Sequence, residues 1–282
     1  MLRIVEATPE PIAPPTINAA VAAHWLESFL RDELVARRGA TRAVLGLSGG
    51  VDSAVTAYLC ARALGAENVT AILMPYTTSS PASLTDARLV IDALGIAQRT
   101  LDISAAVDGY LQYEPDADAR RRGNVMARMR MLALFDQSAK LQALPVGTGN
   151  KTERLLGYFT WHADDAPPVN PIGDLFKSQV WQLARYLGVP GTIVEKAPSA
   201  DLEALQTDES DLGITYAKAD AILEQILRGY SNRQLIAHGF DGADVALVRR
   251  RVDGTHWKRH LPTTAMLSNT AINEFYLRPV DF

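Results

Sequence analysis

Apolar residues recur along this chain at two spacings, one typical of buried strands and one typical of helices. Short apolar runs at residues 41–47, 69–74, 98–103 and 144–146 predict four β-strands. Between and after these runs, apolar residues are spaced three and four positions apart, which predicts amphipathic helices. The predicted helices cover residues 17–34, 54–64, 83–94, 123–142, 176–187, 216–227 and 244–252.

The alternation of these elements predicts the fold class. Strands separated by helices of about a dozen residues form parallel sheets through right-handed crossovers, with helices on both faces. We therefore predict an α/β protein with a doubly wound parallel sheet and a helical C-terminal extension. We interpret residues 1–16 as a loose, proline-rich lead-in and residues 17–282 as one domain, because no repeat or linker divides them. Residues 196–213 are polar and acidic, and loops of that length are usually functional or disordered.

A glycine-rich segment joins the first predicted strand to the next helix. Ligands of doubly wound sheets bind beyond the carboxyl ends of the strands. There, backbone N–H groups and a helix N-terminus can converge on an anion such as phosphate. Gly49 and Gly50 let the backbone approach closely, and Ser48 and Ser53 add hydroxyl donors. Asp52 would repel phosphate unless a divalent cation lies between the two.

Composition narrows the class of protein further. The formal net charge is −4, so no overall basic field favours a nucleic-acid partner. No run of about 18 apolar residues predicts a membrane span. Residues 1–15 contain four prolines and two glutamates where a signal peptide would have an apolar segment. The single cysteine, Cys60, lies in a predicted helix and is expected to be a small core residue. Together these features predict a soluble cytoplasmic protein.

The glycine-rich segment resembles the SGGxDS pyrophosphate loop of the N-type ATP pyrophosphatases, which implies an adenine-nucleotide α-hydrolase-like, Rossmann-like fold. It lacks the ending of a Walker A loop and the spacing of a Rossmann turn. Five later motifs resemble, in the same order, those of the ammonia-dependent NAD synthetases, and the resemblance covers roughly residues 18–265. With intervening residues counted in parentheses, they are Gly123-Asn124-(3)-Arg128-Met129-Arg130, Gly147-Thr148-(4)-Glu153, Gly157-Tyr158-Phe159-Thr160, Pro198-Ser199-Ala200-Asp201-Leu202 and Lys258-Arg259-(2)-Pro262.

This resemblance implies a two-step ligase reaction. In the first step, the nicotinate carboxylate of deamido-NAD attacks the α-phosphate of ATP, which gives a mixed adenylate and pyrophosphate. Ammonia then attacks the activated carbonyl carbon and releases AMP and NAD. Because the first step brings anions together, Mg²⁺ and oriented N–H donors must stabilise charge on the phosphate oxygens. No side-chain nucleophile is required, and none is evident in the sequence.

Matched position by position, the resemblance implies catalytic and ATP-binding roles. Asp52 and Glu153 would hold Mg²⁺ and Lys177 would contact ATP phosphate, and these three are the predicted catalytic residues. Taken alone, Glu153 is an ordinary acid of a first helical turn and Lys177 a solvated helical lysine. The predicted ATP-binding residues are Gly46, Leu47, Ser48, Gly49, Gly50, Val51, Asp52, Ser53, Thr148, Lys177 and Ser199.

A second set of positions would bind deamido-NAD. The resemblance implies that Asn124 and Arg128 of the long helix reach this substrate, together with His256 and Lys258 near the C-terminus. Without the resemblance, Arg128 and Lys258 would be interpreted as ordinary charged residues on the protein surface.

The chain departs from the family pattern between these two groups. Trp161 stands where many members have a lysine, and Pro168 where they have an aspartate. A glycine-aspartate-glycine turn is replaced by Ala163-Asp164-Asp165. Two polar contacts to the dinucleotide are therefore expected to be either absent or replaced, by stacking of Trp161 and by the carboxylate of Asp164 or Asp165.

The resemblance also has implications for two protein partners, a second copy of this chain and a glutaminase. Family members use the helix that corresponds to residues 123–142 for a two-fold dimer with substrate at the interface, which implies a homodimer. No glutaminase domain is evident, so free ammonia is the predicted donor, and a separate glutaminase subunit is left open. The apolar side of this helix carries Val125, Met129, Leu132, Phe135 and Ala139.

Three alternative functions belong to the same fold. A tRNA thiolase would need catalytic cysteines and a basic RNA-binding face, which Cys60 alone and the net charge of −4 disfavour. An amidase resembling GMP synthetase or asparagine synthetase stays open, with a different carboxylate or carbonyl substrate. A nucleotide-binding sensor without turnover is the third, although Asp52 and Glu153 would have no catalytic use in it.

Overall fold

The computed structural model describes residues 13–198 and 207–260, together with Thr263, Ala265 and Leu267. Within these residues, one parallel sheet consists of β1 (Ala43–Gly46), β2 (Val69–Leu73), β3 (Ala97–Thr100) and β4 (Leu144–Pro145). The strands lie in the order β3-β2-β1-β4. A further parallel bridge between Val146 and Val169 continues the sheet beyond β4.

Twelve α-helices surround the sheet in the described part of the chain, and none has the length and apolar composition needed to cross a membrane. They are α1 (Ala19–Leu30), α2 (Val51–Leu64), α3 (Pro81–Leu94), α4 (Ser104–Leu111), α5 (Ala119–Leu141), α6 (Lys151–Leu156), α7 (Lys177–Leu187), α8 (Gly191–Val194), α9 (Asp208–Leu212), α10 (Tyr216–Leu227), α11 (Asn232–Ala237) and α12 (Gly242–Thr255). A π-helical turn covers Arg31–Ala36, and 3-10 turns cover Ala66–Asn68 and His256–Arg259.

Helices cover the sheet on both faces, which confirms the predicted doubly wound class. Successive side chains of a strand point to opposite faces. Leu45 of β1 packs in a core with α1, α2, α3 and α7, whereas Val44 packs with Leu134 of α5 on the other face. Nine of the 14 residues of α2 are buried. One of them is Cys60, and burial raises the pKa of its thiol to about 12, so it serves as a small core residue.

The direction of winding reverses between β1 and β4. From β1 the chain crosses to β2 and then to β3, and it returns to the opposite side of β1 to form β4. The loops that follow β1 and β4 therefore leave the sheet in different directions. Such a switch point opens a crevice at the carboxyl ends of the two strands, where ligands of this fold class bind. The glycine-rich loop lies on one side of this crevice and residues 146–150 on the other.

The predicted helical C-terminal extension is formed by α10, α11 and α12. These helices build a second core in which Tyr216, Leu223 and Val248 pack with Leu156 of α6. Trp181 of α7 packs against both this core and the core beside the sheet. Helix α7 therefore joins the extension to the sheet.

The described end of the predicted lead-in is docked on α7. Pro15 is buried, and its carbonyl oxygen accepts from the Gln182 side chain at 3.1 Å. The Ile17 N–H donates to the same side chain at 3.1 Å. Residues 15–17 therefore pack on the helix that carries Lys177, while residues 1–12 lie outside the described part of the chain.

Short helices account for most differences between the predicted and observed elements. The apolar pattern does not reveal α4, α6, α8 or α11, and α9 lies inside the predicted loop at 196–213. Each of these helices has only four to eight residues. Such a length is too short to show a helical repeat, and only α6, α9 and α11 carry a capping side chain that a local spacing could have revealed.

The buried face of α5 is not its apolar stripe. The helix buries Gly123, Met126, Leu134 and Gln137. In contrast, Leu132 is 61% exposed and Phe135 is 38% exposed. The sheet therefore leaves part of the predicted apolar side of α5 open.

Candidate active site

The glycine-rich loop is held in its turn by its own serine side chains. Ser53 Oγ donates to the Gly50 carbonyl oxygen at 3.0 Å and accepts from the Ser48 N–H at 3.2 Å. The two serine hydroxyl oxygens are 3.1 Å apart. Gly49 has a φ of +82°, and a Cβ there would lie 2.2 Å from the Ser83 carbonyl oxygen, so the turn requires glycine. The hydroxyls thus lie at the N-terminus of α2, where anions are favoured.

The other predicted ATP-binding residues lie on both sides of the crevice. Gly46 ends β1, Leu47 is buried behind the loop, and Val51 is buried at the start of α2. Thr148 is half-buried in the loop after β4. Ser199 falls outside the described residues, so its predicted contact with ATP stays a prediction.

Asn150 connects the two loops of the crevice. Its side-chain oxygen accepts from the Glu153 N–H at 2.9 Å, and Glu153 Oε2 accepts from the Asn150 N–H at 3.2 Å, which forms a capping box on α6. The Asn150 amide also donates to Asp52 Oδ1 at 3.0 Å. One buried asparagine therefore joins the first turn of α2 to the first turn of α6. The Asn-x-x-Glu spacing is the signal by which the sequence could have revealed it.

Lys177 binds both predicted metal ligands. Its side chain is only 2% exposed, and its ammonium donates to Asp52 Oδ2 and lies 3.4 Å from Glu153 Oε1. The ring of Tyr216 covers the ammonium, with its centroid 5.1 Å from Nζ. The fold thus brings together the three residues that were predicted to be catalytic.

The cluster combines two acids with one base in a largely buried place. Burial, and then the Asp52 carboxylate, raise the pKa of Glu153 to about 8, although Lys177 acts in the opposite direction. Burial lowers the pKa of Lys177, but the carboxylates of Asp52 and Glu153 outweigh burial, and the net shift is upward. The ammonium therefore stays charged, while Glu153 holds a proton more readily than an exposed glutamate does, and a cation bound beside it would favour its ionised form.

These carboxylates fit a magnesium ion that binds together with a nucleotide. Among the described residues, no group of three or more His, Cys, Asp or Glu side chains could hold a metal by itself. Mg²⁺ is commonly held by one or two carboxylates, with phosphate oxygens and water completing its shell. Asp52 and Glu153 supply that number of carboxylates beside the glycine-rich loop.

A third carboxylate, which the sequence analysis missed, lies near the same lysine. Asp208 is 5% exposed, and it accepts hydrogen bonds from Tyr216 at 3.0 Å and from Tyr158 at 3.3 Å. Burial raises the pKa of Asp208, and the charge of Lys177 opposes this shift. Asp208 belongs to the predicted acidic loop, where no local spacing distinguishes it from neighbouring acids.

Four predicted substrate residues meet around Thr160. The Thr160 hydroxyl donates to the Asn124 side chain at 2.9 Å, and its N–H donates to Asp164 Oδ1 at 2.8 Å. Arg128 donates to the Trp161 carbonyl oxygen at 3.2 Å. The N-terminal half of α5 and residues 160–164 therefore form one polar surface with Trp161 at its edge.

The described residues that directly follow α12, 256–260, are called the tail here, and they lie on the other side of this surface. The Lys258 ammonium donates to the carbonyl oxygens of Gly157, at 2.7 Å, and of Phe159, and it lies 4.1 Å from the centroid of the Phe159 ring. Trp257 meets Trp161 edge to face, with ring centroids 5.2 Å apart. His256 is exposed, and its Nδ1 lies 2.7 Å from the Asp253 carbonyl oxygen. Lys258 thus anchors the tail, and His256 does not join the Thr160 surface.

Comparison with known sequences matches this chain to one protein family. The family model described as NAD synthase matches residues 22–262. An NH(3)-dependent NAD(+) synthetase of Trichlorobacter lovleyi is 48% identical over 258 residues, which covers 91% of this chain and 94% of that protein. A protein of the same name from Chlorobaculum parvum is 49% identical over 242 residues, which covers 86% of this chain and 87% of the relative.

Solved structures agree with the sequence relatives. An NMN synthetase from Francisella tularensis superimposes with a TM-score of 0.79 at 32% identity, over 88% of this chain and 99% of that one. An NH3-dependent NAD synthetase from Campylobacter jejuni, in complex with a nitrate ion, gives a TM-score of 0.77 at 31% identity, over 89% of this chain and 100% of that one.

Proposed function

Because this chain belongs to the NAD synthase family, we propose that it amidates the nicotinate carboxylate of deamido-NAD with ammonia, using ATP as co-substrate. The products are NAD, AMP and pyrophosphate. The observation that best supports this proposal is the convergence of Asp52, Glu153 and Lys177 beside the glycine-rich loop. Two acids, a buried ammonium and a phosphate-binding turn are the groups that cleavage of ATP between its α- and β-phosphates requires.

In the first step, a carboxylate oxygen of deamido-NAD bonds to the α-phosphorus of ATP as the bond to the bridging oxygen breaks. Pyrophosphate takes the electron pair of that bond. Ser48 and Ser53, with the N–H groups at the start of α2, bind the departing pyrophosphate oxygens. No residue of the chain forms a covalent bond in this step.

In this proposal, Asp52 and Glu153 would hold the Mg²⁺ ion, and Lys177 would bind ATP phosphate. Bound Mg²⁺ neutralises charge on the phosphate oxygens. The Lys177 ammonium, which contacts both carboxylates, would donate to a phosphate oxygen of ATP bound beside them. Its raised pKa supports this role, because the group stays positively charged at physiological pH.

In the second step, the nitrogen of ammonia bonds to the carbonyl carbon of the adenylate and AMP leaves with the electron pair of the broken C–O bond. One proton of the former ammonia is released. We assign deamido-NAD to the surface around Thr160, with contacts from Asn124, Arg128 and Trp161. Asp164 supplies a carboxylate on the same surface.

The tail completes this substrate surface in our proposal. We assign Lys258 to this substrate surface; His256 lies outside the Thr160 surface in the structure, and we assign it to substrate only as a contact from the C-terminal side. Support comes from Lys258, which already lies between the Phe159 ring and the carbonyl oxygens beside Thr160.

We further propose a homodimer that forms through α5. The exposed side chains of Leu132 and Phe135 support it, because a helix whose apolar stripe is not covered by its own sheet is suited to pair with a second copy. Asn124 and Arg128 lie on the same helix, so the pairing would place substrate residues near the interface.

We propose that residues 17–282 work as one domain in the cytoplasm. Trp181, which belongs to both hydrophobic cores, supports a single unit. The buried free thiol of Cys60 is compatible with a reducing compartment.

The reaction is tested by measuring AMP, pyrophosphate and NAD release from ATP, Mg²⁺ and ammonium, with and without deamido-NAD. We expect all three products in equal amounts, and only when deamido-NAD is present. Glutamine in place of ammonium serves as the nucleophile control and is expected to give no NAD. ATP binding without deamido-NAD-dependent release would contradict the proposed substrate.

Nicotinate mononucleotide is the informative alternative acid in this assay. One structural neighbour is described as an NMN synthetase, and Trp161 and Pro168 alter the substrate side of the family pattern. Faster release with the mononucleotide than with deamido-NAD would keep the reaction type and change the substrate.

Replacement of Glu153 by glutamine is expected to raise the Mg²⁺ concentration for half-maximal activity by about 10-fold or more. The amide keeps an oxygen that accepts from the Asn150 N–H, so the cap on α6 is preserved while one metal-binding charge is lost. The measurement is a Mg²⁺ titration of initial rates. The matched control is Asp174→Asn, because Asp174 is 95% exposed and pairs only at the surface with Lys151. An unchanged titration for the Glu153 variant would remove this residue from the metal site.

A further inference from the structure

Helix α7 begins without a capping side chain of its own. Its N-cap residue is Phe176, which has no polar side-chain atom, and its first residue is Lys177. The N–H groups of a first helical turn have no partner within the helix, and in a buried place they must find one elsewhere. Lys177 and Ser178 are 2% and 7% exposed, so water cannot readily accept hydrogen bonds from their N–H groups.

Two other helices supply the missing acceptors. Thr152 Oγ1 of α6 accepts from the Lys177 N–H at 2.9 Å. Asp220 Oδ2 of α10 accepts from the Ser178 N–H at 2.8 Å. The Thr152 hydroxyl in turn donates to Asp220 Oδ1 at 2.5 Å. Helix α7 is therefore capped by side chains that lie 25 and 42 residues away from the N–H groups they bind.

The side chains of this hydrogen-bond network are fully buried and bind each other as well as the N–H groups of α7. Thr152 and Asp220 are both 0% exposed. Burial of a carboxylate is costly unless its oxygens accept hydrogen bonds, and here each oxygen accepts one. The negative charge also lies at the N-terminus of α7, where the helix dipole favours it. The position of Asp220 is thus determined by α6 and α7 together.

This network connects the two parts of the proposed ATP site. Thr152 immediately precedes Glu153 on α6, and the N–H that it binds belongs to Lys177 itself. A shift of α7 along α6 would break two hydrogen bonds and would also change the distance between the Lys177 ammonium and the Glu153 carboxylate, now 3.4 Å. Such a shift need not unfold either helix.

We infer that Thr152 and Asp220 are positioning residues, which hold the backbone of Lys177 in register with Glu153 so that ammonium and carboxylates meet the triphosphate together. The inference rests on the proposed role of Lys177 toward ATP. It does not depend on which acid is amidated, so it can be tested by nucleotide binding alone.

The test compares two substitutions of one residue. Thr152→Val keeps the shape of threonine and removes the hydroxyl, whereas Thr152→Ser keeps the hydroxyl. The probe is α,β-methylene-ATP with Mg²⁺, measured by calorimetry on the full chain. We expect Thr152→Val to raise the Kd by about 10- to 100-fold, which is the effect of losing one hydrogen bond between the Lys177 ammonium and a phosphate oxygen. We expect the Kd of Thr152→Ser to stay within about threefold of that of the unaltered protein.

Asp220→Asn keeps one acceptor oxygen, and its Kd is expected to lie between those of the two Thr152 variants. It provides the test if Thr152→Val does not fold.

Val248→Ala is the control for a merely structural effect. Val248 is buried in the second core and has no polar side-chain atom, so its truncation lowers the melting temperature without removing a hydrogen bond of the network. Unchanged nucleotide affinity in Thr152→Val and Asp220→Asn would overturn the inference. The inference would also be overturned if Val248→Ala lost as much nucleotide affinity as Thr152→Val at the same loss of melting temperature.

The proposed reaction can fail separately. A protein that binds the analogue and shows these differences but forms no NAD would overturn the proposed reaction and leave the positioning role in place.

Discussion

Replacement of Asp52 by asparagine is expected to lower kcat/KM for ATP by about 10³-fold or more, which corresponds to ~4 kcal/mol of transition-state stabilisation. The variant should still fold. The buried cluster contains two carboxylates and one ammonium, and the Asp52 charge is one cause of the raised pKa of Glu153. Its removal relieves that repulsion and leaves Lys177 paired with Glu153. We therefore expect a melting temperature within a few degrees of the unaltered protein, where about 1 kcal/mol corresponds to roughly 2–4 °C.

The measurements are deamido-NAD-dependent AMP release and thermal unfolding followed by circular dichroism. Asp32→Asn is the matched control, because Asp32 is 53% exposed on the π-helical turn, remote from the crevice. This control should leave both quantities unchanged. Near-normal kcat/KM in the Asp52 variant would show that its carboxylate does not hold the metal.

Replacement of Lys177 by methionine is expected to affect both activity and stability. Loss of the ammonium removes the proposed phosphate contact and should lower kcat/KM by about 10²- to 10³-fold. It also leaves Asp52 and Glu153 close together without their buried counter-ion. Removal of one partner from a buried ion pair typically costs about 3–5 kcal/mol, so the melting temperature should fall by roughly 10 °C. Activity assays and thermal unfolding test the two effects separately.

A second substitution distinguishes charge repulsion from lost packing. Asp52→Asn in the Lys177→Met background removes one of the two unpaired charges and should recover part of the lost melting temperature, with no recovery of activity. Lys218→Met is the surface control, since Lys218 is 62% exposed and its pair with Asp244 contributes at most about 1 kcal/mol. Absence of any recovery in the double variant would mean that the buried charges are not what destabilises Lys177→Met.

The fold could be predicted well because its signals are local and repeated. Each of the four predicted strands was found, and all four pair in parallel, as helical crossovers require. The long helices α2, α3, α5, α7, α10 and α12 agree with the predicted ones because each has several turns of apolar spacing. The predicted helix at 17–34 becomes π-helical at Arg31–Ala36. There, Asp32 pairs with Arg37 at 2.7 Å, a spacing of five residues that suits the wider turn.

The candidate site could be predicted only in part. The glycine-rich loop was evident because its glycines, serines and aspartate lie within eight positions of one another. Asn150 and Thr152 were missed, although both lie beside the predicted Glu153, because their importance depends on distant partners. Asn150 binds a carboxylate 98 residues away, and Thr152 binds one 68 residues away.

By itself, the sequence determined the local order of three features: a strand, a glycine-rich turn that contains Asp52, and a helix. Those features depend on backbone conformation and on residues a few positions apart, so they can be recognised without knowledge of the rest of the fold. Only the tertiary structure decided that Lys177 meets Asp52 across 125 residues of chain and that Asp220 caps its helix. Such contacts depend on how whole helices pack on the sheet, and packing is determined by the summed burial of many side chains and not by any local spacing.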